Sequence, residues 1–120
     1  MMVELVRTFT FQAAHYLPKV SEDHKCRHMH GHAYRVEVSL RGPVNPETGW
    51  LVDFGEIAIV LDPIRKELDH TILNEIPGLE NPTAEILSAW IWQRVTAGIP
   101  YLHRVSVFES ENSGCHYLGD

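Results

Sequence analysis

The clearest structural signal in this chain is the stretch HGHAYRVEVSL, residues 30–40. Its even positions hold two histidines, a tyrosine and aliphatic residues, whereas its odd positions are small or polar. A period of two is typical of a strand with one buried face, because successive side chains on a strand point to opposite sides. Residues 3–15 alternate in a similar way and end at His15. The sequence therefore predicts two strands whose apolar faces carry histidines.

Two helices are predicted after these strands. Asp53 is a candidate N-cap followed by apolar residues at helical spacing, and we expect Pro63 to kink or restart this first helix. The second helix is expected to begin near Asn81-Pro82 and to stop before Gly98. Its expected buried stripe consists of Ile86, Leu87, Trp90, Ile91 and Val95.

Shorter strands are expected at residues 50–52, at residues 104–110 and from Cys115 onward. Strands followed by helices and then by strands favour an α+β domain. The length of 120 residues suits a single domain over residues 1–120. We therefore expect an antiparallel four-stranded sheet with two helices packed on one face.

The overall charge and composition exclude several classes of protein. Ten Lys and Arg residues stand against sixteen Asp and Glu residues, for a net charge of −6, which argues against binding along a nucleic acid backbone. No apolar run approaches the length needed to span a bilayer, and the charged, alternating N-terminus is unlike a signal peptide. Two cysteines do not make a disulfide scaffold. These features predict a soluble protein of the reducing cytoplasm.

Three histidines are the candidate metal ligands. His30 and His32 project to the same face of one strand, and His15 ends a strand that can lie beside them. Catalytic zinc commonly uses three protein ligands and keeps a fourth position open. The alternative is that these are core histidines held by hydrogen bonds. Three of them at apolar strand ends favour the metal site, because burying imidazoles without partners is costly.

Cys26 lies four residues before His30 and has three possible roles. A thiol close to a metal or cation is more readily deprotonated, which would make Cys26 a nucleophile or base. It could also be a small buried residue. A site of one cysteine and three histidines would instead make it the fourth ligand of a structural zinc.

Two further features carry acidic groups. Asp69-His70 follows the first predicted helix and could act as a proton relay, although a helix-terminal histidine beside a solvated aspartate is the simpler interpretation. Glu109 shares a strand face with Val105 and Val107, and a buried carboxylate needs donors. A planar ligand edge with two adjacent N–H groups would supply them, whereas an exposed strand end or an internal ion pair is the alternative.

Taken together, these residues resemble the pterin synthases of the tunnelling fold, over nearly the whole chain. The matching segments are FQAAH (11–15), Cys26-x3-His30-Gly31-His32, GWLVDF (49–54), LDH (68–70), PGLENPT (77–83) and the strand with Glu109. The family includes a 6-carboxytetrahydropterin branch, which belongs to queuosine biosynthesis, and a 6-pyruvoyl branch. The interval of three residues between Cys26 and His30 favours the carboxy branch, since this interval is typically longer in the pyruvoyl branch.

The resemblance implies a zinc-dependent lyase with a defined set of site residues. Its substrate would be 7,8-dihydroneopterin triphosphate, and its products 6-carboxy-5,6,7,8-tetrahydropterin, acetaldehyde and triphosphate. The family assembles as a hexamer of two stacked trimers with active sites between subunits. The matching residues are His15, His30 and His32 as zinc ligands, Cys26 as base, His70 and Asp69 as its relay, and Glu109, Thr83 and Glu85 in the pterin pocket.

Three points stay open on the sequence alone. Lys19, Lys25 and Arg27 form a locally basic segment that could hold the triphosphate, although surface charges are more often only solvated. The pyruvoyl-forming relative shares almost every one of these residues. A non-catalytic binding module stabilised by zinc is the alternative of another class.

Overall fold

The computed structural model describes all 120 residues, which form five strands and two helices. The strands are β1 (Met2–His15), β2 (His30–Pro43), β3 (Thr71–Ile72), β4 (Leu102–Ser110) and β5 (Ser113–Tyr117), and the helices are α1 (Phe54–Leu68) and α2 (Ala84–Thr96). The sheet has the order β3-β1-β2-β4-β5, and all neighbours are antiparallel except β3 and β1. The predicted α+β architecture with two helices on the sheet is confirmed.

The sheet has five strands rather than the predicted four. The additional strand is β3, whose two residues pair in parallel with Ala13 and Ala14 of β1. A strand of two residues is too short to show an alternating sequence pattern. Its position is set by pairing with the neighbouring strand. The predicted strand at residues 50–52 is absent. There, the Trp50 carbonyl accepts a hydrogen bond from the Asn45 amide and closes a turn instead of joining the sheet.

The core lies between the sheet and the two helices, and the alternation of β2 predicts its face correctly. Antiparallel pairing sets Phe11 opposite Tyr34, Ala13 opposite His32, and His15 opposite His30. Residues directly opposite each other in a sheet share a face. The three histidines therefore continue the apolar face of the sheet toward one end, beyond the buried residues Tyr34, Val36, Val38 and Leu40.

Helix α1 begins where the sequence predicts and continues through Pro63. The Asp53 carboxylate accepts a hydrogen bond from the Gly55 amide at 2.9 Å, which caps the first turn. Pro63 cannot donate to the carbonyl of Ile59 four residues earlier. Ile59 is 73% exposed, so water can satisfy that carbonyl on the solvent side. The helix therefore does not restart at Pro63, contrary to one expectation.

Helix α2 begins slightly later than predicted, because Thr83 rather than Asn81 caps it. The Thr83 hydroxyl accepts a hydrogen bond from the Ile86 amide at 3.1 Å, and the helix starts at Ala84. Ile86 is 42% exposed and does not belong to the buried stripe, whereas the other four predicted residues are buried. Neither helix has the length and apolar composition needed to cross a membrane.

Candidate functional site

The three predicted metal ligands lie together at one end of β1 and β2. One ring nitrogen of each of His15, His30 and His32 lies within 4.8 Å of the others, and they are the only group of three such side chains that could hold a metal ion. His15 is buried, and the other two are half-buried. Since β1 and β2 are long and fully paired, the sheet itself sets the spacing of these rings.

The hydrogen bonds of the rings leave nitrogen lone pairs free for a metal. His15 donates from Nδ1 to the Pro82 carbonyl at 2.8 Å, and His30 donates from Nδ1 to the His28 carbonyl at 2.7 Å. An imidazole that donates from Nδ1 keeps its Nε2 lone pair for a metal. The Nε2 atoms of His15 and His32 are buried without any hydrogen-bond partner. A metal ion would satisfy both of these otherwise costly atoms.

Burial favours the neutral, ligating form of two of the rings. Desolvation lowers the pKa of His15 below its ordinary value of 6.5, against the opposing effect of the hydrogen bond to Pro82. Desolvation likewise lowers the pKa of His32, opposed by the negative charge of Glu109. Nearby Tyr34 has its hydroxyl 3.2 Å from the His15 Nδ1 atom, and burial raises the pKa of this phenol. Burial thus favours the neutral form of both imidazoles, His15 and His32, and of the nearby Tyr34 phenol.

Glu109 reaches the same site from β4. Its Oε2 atom lies 3.9 Å from the Nε2 atom of His32. The pairing of β4 with β5 passes from Phe108–Gly114 to Ser110–Ser113, so Glu109 is an extra, bulged residue. A bulge can re-aim a side chain near a functional site. The structure thereby brings the predicted carboxylate and the three histidines together.

A cleft of about 490 Å³ opens beside Glu109 at the N-terminus of α2. The cleft is lined by all three residues predicted to contact a pterin, namely Glu109, Thr83 and Glu85. Cys115 also lines the cleft, and its Sγ atom lies 3.7 Å from the Ser88 hydroxyl. Nothing in the sequence predicts that Cys115 lines this cleft, because its position depends on the pairing of β5 with the bulged end of β4.

Asp69 and His70 form the predicted acid–imidazole pair at the end of α1. The Asp69 Oδ2 atom lies 3.0 Å from His70 Nδ1 and 3.5 Å from the Arg65 guanidinium. Asp69 Oδ1 accepts from the Gln12 amide at 2.9 Å, and this hydrogen bond, together with His70 and Arg65, lowers the pKa of the carboxyl group. The carboxylate is therefore anionic and fixes the His70 proton on Nδ1, which leaves Nε2 as the basic atom.

The Asp69–His70 pair lies outside the three-histidine group but borders a cleft that His32 also lines. This cleft of about 520 Å³ is lined by His70 and also by Gln12, Ala14 and Gly31. Gln12 and Ala14 alternate with His15 along β1, so their side chains lie on the helix-free face. Arg65 was not predicted as part of this group, although its i, i+4 spacing from Asp69 was a detectable signal.

The loop between β1 and β2 carries the remaining predicted residues, and the structure does not join them to the others. The Cys26 Sγ atom is half-buried and forms no hydrogen bond, and it does not belong to the three-histidine group. Lys19 and Lys25 are exposed. Arg27 donates a hydrogen bond to the Val20 carbonyl at 2.9 Å, which ties it to its own loop.

Comparison with known proteins agrees with the geometry. The family model described as 6-pyruvoyl tetrahydropterin synthase matches residues 4–120. A protein of Synechocystis named 6-carboxy-5,6,7,8-tetrahydropterin synthase is 40% identical, with 95% of this chain and 92% of the relative covered. A Pyrococcus furiosus protein named dihydroneopterin monophosphate aldolase is 33% identical, with 95% of this chain and 96% of the relative covered.

The fold is also that of a solved family structure. The Caenorhabditis elegans 6-pyruvoyl tetrahydropterin synthase superposes with a TM-score of 0.93, covering 100% of this chain and 97% of that chain at 24% identity. Sequence, fold and the arrangement of the histidines point the same way. The chain belongs to the 6-pyruvoyl tetrahydropterin synthase family.

Proposed function

We propose that this protein is a zinc-dependent lyase, a 6-carboxytetrahydropterin synthase of queuosine biosynthesis. It converts 7,8-dihydroneopterin triphosphate and one water molecule to 6-carboxy-5,6,7,8-tetrahydropterin, acetaldehyde and triphosphate. The observation that carries the proposal is the group of three histidines with two buried, unpartnered Nε2 atoms, set beside the Glu109 carboxylate. The likeness to the Synechocystis relative selects this reaction within the family.

His15, His30 and His32 hold the zinc ion in this proposal. When bound, zinc polarises substrate oxygen atoms and stabilises the negative charge that develops on them. The chain contributes by favouring the neutral form of His15 and His32 and by orienting the rings of His15 and His30. Burial lowers the pKa of His15 and His32, and the carbonyls of Pro82 and His28 fix the Nδ1 protons of His15 and His30.

Glu109 anchors the pterin ring. An ionised carboxylate accepts two parallel hydrogen bonds, and a pterin edge presents two adjacent N–H groups. Thr83 and Glu85 line the same cleft at the N-terminus of α2, so they contact the ring or its substituents. Because Glu109 is also 3.9 Å from His32, a ring held by Glu109 directs its side chain toward the metal ligands.

Cys26 moves the carbon-bound proton, and the Asp69–His70 pair relays it. The Sγ atom of Cys26 has no internal hydrogen bond to compete with a substrate. His70 donates from Nδ1 to Asp69, which leaves Nε2 free to exchange a proton with Cys26 or with substrate. Lys19, Lys25 and Arg27 lie on the loop of Cys26 and bind the triphosphate by charge attraction.

The proposal includes a homohexamer, a dimer of trimers, with active sites between subunits in the cytoplasm. The support comes from the two sides of the sheet. His70 lines a cleft whose β1 residues Gln12 and Ala14 lie on the helix-free face, and only His32 of the three metal ligands also lines it. His70 does not belong to the three-histidine group of its own chain, so in this proposal a second copy completes the site.

Product analysis tests the reaction. The purified protein, loaded with zinc, is incubated with 7,8-dihydroneopterin triphosphate, and the products are identified by mass. Release of acetaldehyde with 6-carboxytetrahydropterin supports the proposal. A 6-pyruvoyl product without acetaldehyde would assign the chain to the pyruvoyl branch. A parallel incubation with dihydroneopterin monophosphate tests the activity named for the Pyrococcus furiosus relative.

The variant Cys26→Ala separates catalysis from a structural zinc site. If Cys26 is the base, zinc content stays at the wild-type level while turnover collapses. If the protein is a zinc-stabilised binding module with Cys26 as a fourth ligand, zinc affinity falls sharply. The control is Ser21→Ala, because Ser21 is exposed on the same loop as Cys26 and is not one of the proposed site residues.

A further inference from the structure

Asn74 makes an unusual set of hydrogen bonds just after β3. Its Oδ1 atom accepts from the Tyr16 amide at 3.0 Å, and its Nδ2 atom donates to the Tyr16 carbonyl at 2.8 Å. The side-chain amide thus pairs with the backbone of one residue as a neighbouring strand would. The same Nδ2 atom also donates to the Glu80 carbonyl at 3.3 Å.

The hydrogen bonds of Asn74 hold both sides of the contact between His15 and the Pro82 carbonyl. Tyr16 follows His15 directly, so fixing the Tyr16 backbone fixes the end of β1 that carries the ring. Glu80 lies two residues before Pro82, whose carbonyl accepts the His15 Nδ1 proton at 2.8 Å. One side chain therefore holds the strand that carries His15 and the loop that carries its acceptor.

We propose that Asn74 is a positioning residue for the metal site, and this inference rests on the proposed zinc binding. Asn74 does not bind the metal, because its amide is fully engaged with Tyr16 and Glu80. It acts by keeping the Pro82 carbonyl within reach of His15 Nδ1. That contact fixes the proton on Nδ1 and directs the buried, unpartnered Nε2 atom toward His30 and His32.

Metal affinity, rather than activity, tests this inference. Asn74→Ala removes all three hydrogen bonds, and Asn74→Leu removes them while keeping most of the side-chain volume. Zinc dissociation constants are measured by competition with a chromophoric chelator, and cobalt(II) absorption reports the coordination geometry. We expect the dissociation constant to rise about tenfold in both variants, the lower end of the effect of outer-shell partners.

Asn45→Ala is the matched control. Asn45 also uses its side chain to accept a backbone hydrogen bond, from the Glu47 amide at 2.8 Å, but it follows β2 at the end away from the histidines. This variant should lose some thermal stability and keep the wild-type zinc affinity. If the Asn74 variants also keep wild-type zinc affinity and cobalt spectra, whatever their stability, the inference is overturned. If the wild-type protein itself binds no zinc, the proposed function fails instead.

A measurement on the wild-type protein covers the case in which neither Asn74 variant folds. Long-range nitrogen–proton NMR spectra identify which ring nitrogen of each histidine carries the proton. In the metal-free protein we expect His15 to be protonated on Nδ1 alone, already arranged for binding. A mixture of tautomers that resolves only when zinc is added would overturn the positioning role.

Discussion

In the proposed function, Glu109 anchors the pterin ring through its carboxylate, which lies 3.9 Å from His32 and lines the cleft at α2. The variant Glu109→Gln keeps the shape but replaces one acceptor oxygen with an N–H donor, which opposes a pterin N–H group. We expect kcat/KM to fall by about 100-fold or more, since a mismatched polar partner in a buried site is strongly rejected. Zinc content should not change, because Glu109 does not belong to the metal-binding group.

Glu111→Gln provides the control for Glu109. Glu111 is exposed and lies two residues after Glu109 in the sequence. Its substitution removes the same charge, but outside the cleft at the N-terminus of α2. Near-wild-type kcat/KM is expected for this variant. Equal losses of kcat/KM in the two variants would mean that removal of one negative charge, rather than loss of a specific contact with the pterin ring, lowers the activity.

Asp69 makes folding stability depend on pH in a defined direction. The Gln12 amide, with His70 and Arg65, lowers the pKa of the folded carboxyl below its ordinary value of 3.8. The carboxylate therefore stabilises the folded state above pH 3.8, and this contribution is lost as the pH falls through the lowered value. The free energy of unfolding is measured in urea for the wild type and for Asp69→Asn at one protein concentration. The wild type should be more stable at pH 7, and this difference should disappear in strong acid. A difference in unfolding free energy that does not change with pH would contradict its assignment to the ionised Asp69 carboxylate.

At the scale of elements, the end of α1 carries a conformation that favours glycine. His70 has a φ angle of 59°, the left-handed region in which a helix often ends with Gly. A histidine there costs about 1 kcal/mol relative to glycine, and its presence suggests a functional reason for the strain. The backbone amide of His70 still donates to the Gln12 carbonyl, which anchors the turn to β1.

The variant His70→Gly should separate stability from activity. We expect the free energy of unfolding to stay equal to wild type or to rise by up to about 1 kcal/mol, while turnover collapses. Zinc binding should be retained. A clear loss of stability would show that the His70 ring, rather than the turn, supports the fold.

Local patterns predicted the two long strands and both helices, whereas non-local pairing decided the rest. The alternation of β1 and β2 was sufficient to place His15, His30 and His32 on one face, and Asp53 was recognisable as the cap of α1. The roles of the Pro82 carbonyl and the Gln12 amide were not predictable, because any residue carries those backbone groups. The bulge at Glu109 likewise depends on how β5 pairs with β4.

At the scale of the whole molecule, the candidate metal site lies at one end of a large core that contains none of its ligands. Twenty hydrophobic residues are buried in one cluster between the sheet and the helices, and none of them is a candidate ligand. Small structural zinc domains differ in this respect, since they are typically unfolded without metal. The size of the core therefore favours a catalytic metal site over a zinc-stabilised module.

Metal removal tests that distinction directly. After chelation we expect circular dichroism to retain the strand and helix signals, while the melting temperature falls because bound ligand stabilises only the folded state. That effect reaches about 4 kcal/mol when free metal is a thousandfold above its dissociation constant. His15→Ala is the control: it lacks one ligand, so its melting temperature should already be low and should not respond to chelator. Loss of the folded spectrum on chelation would favour the structural zinc module, because the core of the wild-type chain would then be insufficient without its metal.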